Sequence, residues 1–70
     1  MRKYVVVIEK TGTGYSAYVP DLPGCVATGA TRAAVEKRIY EAVQFHLEGL
    51  RATSEPIPQT RVTAETMAFN

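Results

Sequence analysis

Apolar and polar positions along the chain fall into stretches of different period. Tyr4-Val5-Val6-Val7-Ile8 is an unbroken apolar run, β-branched from position 5 onward. Such a run favours a strand covered on both faces, which predicts a central place in a sheet. Thr11-Gly12-Thr13-Gly14 is turn chemistry and predicts a hairpin loop. From Tyr15 the pattern alternates, with Tyr15, Ala17 and Val19 on one face and Ser16 and Tyr18 on the other. Cys25-Val26-Ala27-Thr28 reads as a third, short strand that Gly29 ends. Beyond it the period changes. Val35, Ile39, Ala42, Val43, His46 and Leu50 recur at three- and four-residue spacing, while Arg32, Glu36, Lys37, Arg38, Glu41, Gln44 and Glu48 lie mostly off that stripe. This predicts an amphipathic helix over 32–51, about five turns at ~3.6 residues per turn. Thr31 is placed to cap it, although Ala34 stands where a capping box would want Glu or Gln. Tyr40, Phe45 and Leu47 widen the apolar stripe. Ser54 to Pro58 breaks the pattern, and Arg61 to Phe69 regains β character through Val62, Thr63, Thr66 and Phe69.

The predicted order is β-β-β-α-β, an α+β fold with a four-stranded mixed sheet and one helix packed on one face. A right-handed crossover after the helix would lay the last strand parallel to the first, placing Tyr4–Ile8 between two strands. The chain reads as a single domain over 1–70. A chain of 70 residues buries only about 60% of the surface its unfolded form exposes. Cys25 is the sole cysteine, so no disulfide can reinforce it. Self-association is the remaining common source of stability. One helix leaves a sheet face or edge open, which predicts a homodimer or a dimer of dimers.

The rest is organised around a corner, Pro20-Asp21-Leu22-Pro23-Gly24-Cys25. Each proline fixes φ near about −65° and lacks a donor, so neither suits a central strand. Val19 and Leu22 precede prolines and are biased to extended geometry. Gly24 can take positive φ without steric cost, and Leu22 is the expected anchor that pins the corner to a core. Asp21 has two readings: a binding residue on an exposed loop, or a carboxylate accepting backbone N–H groups within the turn.

Composition narrows the chemistry. The net charge is +1 with His46 neutral, which provides neither a basic footprint for nucleic acid nor an acidic face for a basic partner. No stretch is apolar enough to span a bilayer, and a lone thiol fits a reducing cytosol, so a cytoplasmic protein is expected. Cys25 and His46 are the elements of a nucleophile–base pair, but no orienting group or oxyanion motif accompanies them. The carboxylates Glu9, Asp21, Glu36, Glu41, Glu48, Glu55 and Glu65 are scattered, and a two-metal site needs several that converge. Gly12 and Gly14 are followed by neither a helix nor a Lys-Ser/Thr pair, so a hairpin turn outweighs a phosphate loop. The expectation is a non-enzyme with no catalytic residue, cofactor or metal.

Tyr15 to Cys25, then Thr28-Gly29 and Thr31, then Glu41-Ala42 on the helix and Ile57-Pro58 after it, resemble the HicB-like antitoxin family over roughly residues 3–60. The Pro-Asp-Leu-Pro-Gly-Cys core is the more specific part. The resemblance implies a truncated RNase-H-like fold in the order given above, with nuclease activity lost. It also implies an antitoxin that neutralises a small HicA-like, mRNA-cleaving toxin by direct binding. Family members often add a C-terminal DNA-binding module; none is expected here, and direct nucleic-acid binding is not expected either. The alternative is an orphan oligomeric regulatory or scaffold domain without a toxin. Candidate partner-binding residues are Tyr15, Tyr18, Asp21, Leu22, Tyr40, Phe45 and Leu47, each of which can equally serve the core or self-association.

Overall fold

A computed structural model describes residues 2–70. Strands β1 (Val7–Lys10), β2 (Tyr15–Tyr18) and β3 (Val26–Gly29) form an antiparallel sheet in the order β1-β2-β3, followed by helix α1 (Arg32–Ala52). The α+β class and the three-strand meander with one helix are as the sequence predicts.

Two expectations are corrected. The first strand is an edge strand, not a central one, and it begins at Val7 instead of Tyr4. The pairing register explains the late start. Val7 faces Tyr18, so Val6 and Val5 would face Val19 and Pro20. Val19 turns its N–H to the Cys25 carbonyl at 3.2 Å, and Pro20 has none to donate. The ladder therefore stops at the corner. At its other end it runs on through Lys10 to a two-residue loop, Gly12-Thr13, closed by Thr11 N–H donating to the Gly14 carbonyl at 2.8 Å.

The second correction concerns residues 61–69. Among the described residues they form no strand, and all but Val62 are exposed. The sheet of the single chain thus has three strands, not four. The radius of gyration is 13.5 Å, with extents of 46 × 27 × 19 Å, against about 11 Å for a compact chain of this length. The C-terminal segment is led away from the body instead of being folded back on it.

The core lies between sheet and helix. Ala17, Val19, Leu22, Cys25, Val35 and Ile39 are buried, with Tyr4, Ile8, Tyr15, Ala27, Ala42, Val43 and Leu47 packed around them. Ala17 and Val19 share the inward face that the alternation assigned to them, while Tyr18 points to the open face at 41% exposure. The helix packs over β3 and β2 but not over β1. Thr31 caps it as expected, its hydroxyl accepting from Ala34 N–H at 3.1 Å. Close packing at its N-terminus explains Gly29: a Cβ there would lie 2.7 Å from the Val35 backbone nitrogen.

Candidate functional site

The corner is two β-turns in series. Leu22 N–H donates to Val19 C=O and Cys25 N–H to Leu22 C=O, both at 3.1 Å. Each turn has proline at its second position, where a φ near about −65° is already the required value. In the second turn the third position is Gly24, at φ +82°, which is the geometry of a type II turn. Leu22 joins the turns and is fully enclosed. It anchors the corner, as the sequence suggests, and cannot touch a partner while the corner is folded.

Asp21 does not brace its own turn. Its Oδ2 accepts from Arg61 N–H at 3.1 Å, Val62 N–H at 3.3 Å and the Thr60 hydroxyl at 3.3 Å. The carboxylate therefore holds the C-terminal segment, not its own turn. Tyr4 assists by donating its hydroxyl to the Pro58 carbonyl. Sequence alone had no means of pairing residues separated by 39 to 41 positions.

Two apolar grooves flank α1. One, of about 570 Å³, lies on the β1 side and is lined by Tyr4, Val6, Ile8, Ile39, Tyr40 and Val43, with Arg2, Lys3 and Glu36 at its rim. The other, of about 440 Å³, lies on the β3 side between Gly24-Cys25-Val26 and the helix residues Ala42, Phe45, His46, Gly49 and Leu50. Of the candidate contact residues, Tyr40 and Phe45 are exposed at 64% and 79%, one bordering each groove. Tyr15 and Leu47 are half-buried against the core. Val26, 66% exposed, was missed. It is the cross-strand partner of Tyr18 and lines the same groove as Phe45. Tyr18, Val26 and Phe45 thus form one apolar strip from the open sheet face around the β3 edge. The signal available was Val26 on a strand that follows a proline corner, a common place for a sheet edge.

Cys25 and His46 border the β3-side groove together, yet no carboxylate lines it. Burial pushes the Cys25 thiol up from its ordinary 9.0, which disfavours the nucleophilic thiolate. Among the described residues no three His, Cys, Asp or Glu side chains cluster as a metal site would require, and no helix is long and apolar enough to cross a membrane.

What this architecture offers is exposed apolar surface around a small sheet-and-helix body. The model of the HicB-like antitoxins of bacterial toxin-antitoxin systems matches residues 4–69. The chain belongs to this family. A UPF0150 protein of Thermoplasma acidophilum is 40% identical over 58 residues, covering 81% of this chain and 84% of that protein. A UPF0150 protein of Synechocystis is 37% identical over 67 residues, covering 94% and 85%. An uncharacterised 14.9 kDa protein of Haemophilus phage HP1 is 39% identical over 57 residues, and there the match covers 81% of this chain but only 43% of the phage protein. Among solved structures, a chain of the HicA3 and HicB3 toxin-antitoxin complex superposes with a TM-score of 0.67 at 38% identity, covering 79% of this chain and 64% of that one.

Proposed function

We propose that this domain is the antitoxin of a toxin-antitoxin pair and masks a small HicA-like, mRNA-cleaving toxin by direct binding. The likeness to a chain of a HicA3–HicB3 complex, 38% identical over 79% of this chain, is the observation that carries the reading. The docking surface is the Tyr18–Val26–Phe45 strip. A net charge of +1 provides little long-range attraction, so desolvated apolar and aromatic anchors supply the affinity. The domain works in the cytoplasm by covering the toxin, without turnover of its own and without binding nucleic acid itself.

The test is co-expression with the toxin candidate encoded beside it. The expected result is a stoichiometric complex and relief of growth arrest. A paired Val26→Asp/Phe45→Asp variant should weaken the complex by at least about tenfold, the effect of losing ~1.4 kcal/mol, with its melting midpoint unchanged because both side chains are exposed. A toxin that stays active and unbound in the presence of the folded domain would leave the orphan regulatory domain as the better reading. RNA cleavage in Mg²⁺ by the purified domain would refute the non-enzymatic part.

A further inference from the structure

The β1 edge and the C-terminal segment are two unfinished halves of one interaction. Thr11 bonds Gly14 across the hairpin, and an antiparallel ladder bonds at alternate residues, so Glu9 and Val7 are the next positions turned toward β2. Ile8 and Lys10 consequently direct their N–H and C=O groups to the outer edge, where no strand pairs with them, and Val6 stands next in line just before the strand. An open edge of this kind is a template for another strand. Beside it lies the β1-side groove, which the helix does not close over.

Residues 63–69 have what that edge lacks. They are seven residues, about 23 Å when extended at ~3.3 Å per residue, long enough to run past the whole of β1. Period-two alternation places Met67 and Phe69 on one face with Thr63 and Glu65, the two apolar residues at the far end of it; they are 63% and 87% exposed. Glu65 is the one charged side chain in residues 62–70, and Arg2 and Lys3 line the groove.

The segment does not serve its own edge. Pro58 is tied to Tyr4, but Thr60, Arg61 and Val62 are tied to Asp21 on the β2–β3 corner. By Val62 the chain is held at that corner.

We propose that residues 63–69 form the fourth strand of a second copy, pairing along its β1 edge with Met67 and Phe69 in its β1-side groove, reciprocally about a two-fold axis. Closed two-fold symmetry satisfies both edges and both tails at once, and Asp21 sets the direction in which the strand is offered. The β3-side strip stays free for a toxin. The inference does not depend on a toxin existing, so it and the proposed function can fail separately.

The full chain is examined by light scattering at tens of micromolar and by amide hydrogen exchange. The expected result is a dimer in which the Val6, Ile8 and Lys10 amides are protected. Met67→Asp/Phe69→Asp alters only exposed side chains and should give a folded monomer with those amides fast. Val6→Pro removes an edge donor where proline is tolerated and should do the same. An intact chain that is monomeric would overturn the proposal, whether those amides are fast or are protected by the chain's own tail. So would a dimer that persists in both variants.

Discussion

At Gly24 the backbone stands at φ +82°, and nothing lies within 4 Å of the place a Cβ would take. A side chain there meets no clash with the rest of the protein; the cost is the left-handed backbone alone. Gly24→Val is therefore expected to destabilise by about 1–3 kcal/mol, seen as a lower melting midpoint, and an unchanged midpoint would rule the turn geometry out. The neighbouring Cys25 makes a second prediction. Its thiol is held above its ordinary 9.0 by burial. As pH rises past that value the unfolded chain loses the proton first, the folded chain holds more protons, and stability falls, by at most about 1.4 kcal/mol per pH unit. Below it both states are protonated and the effect vanishes. Cys25→Ala abolishes this slope. The gap in melting temperature between native protein and variant should narrow between about pH 8 and pH 10; a constant gap would show that burial does not govern the thiol.

At the scale of the element, α1 ends in a way its sequence does not advertise. Ser54 N–H donates to Arg51 C=O at 3.1 Å and Glu55 N–H to Leu50 C=O at 2.9 Å, the paired bonds of a Schellman motif. The left-handed residue of that motif is usually glycine, but here it is Ser54 at φ 57°. Ser54→Gly removes the steric cost of that conformation, about 1–2 kcal/mol for a non-glycine residue, and gives back part of it as unfolded-chain entropy. The expected outcome is a net gain of a few tenths to about 1 kcal/mol, measurable as a higher urea midpoint. The helix surface adds little: Arg32 and Glu36 approach to 3.8 Å, but both side chains are more than half exposed, and such pairs contribute little.

For the whole molecule, the decisive bonds are those from Asp21 to the C-terminal segment. The corner's own turns close through backbone groups of Val19, Leu22 and Cys25, so Asp21→Ala should leave the corner folded. It should instead free the segment. Loss of the carboxylate hydrogen bonds, each about 1 kcal/mol net, is expected to speed exchange of the Arg61 and Val62 amides by roughly tenfold while the melting midpoint moves little. Unchanged exchange at Arg61 would show that the segment is held by something else. In the dimer proposed above, the same variant weakens association without altering either binding surface.

The features legible in the sequence are those set by neighbours along the chain. Alternation at Tyr15–Val19 put Ala17 and Val19 inside. The three- and four-residue spacing from Val35 gave the helix its buried stripe. Thr31 supplied its cap, and two prolines and Gly24 specified the corner down to a positive φ. Each follows from covalent geometry or from a fixed helical or strand period, which act over a few residues. Of the candidate contact residues, Tyr18, Tyr40 and Phe45 are exposed, whereas Leu22 is enclosed in the core. What tertiary structure decided is which distant groups meet. The apolar run from Tyr4 reads as a central strand, yet Pro20 opposite Val5 ends the ladder early, and β1 stands at the edge because no further strand among the described residues pairs with its outer side. Asp21 looks like a turn residue, yet it binds backbone 40 positions away. Residues 61–69 have strand composition, but a strand needs an edge to pair with. Composition sets that capacity; tertiary structure left the described residues 61–69 without a strand partner in the single chain, while Asp21 and Tyr4 fix where the segment starts.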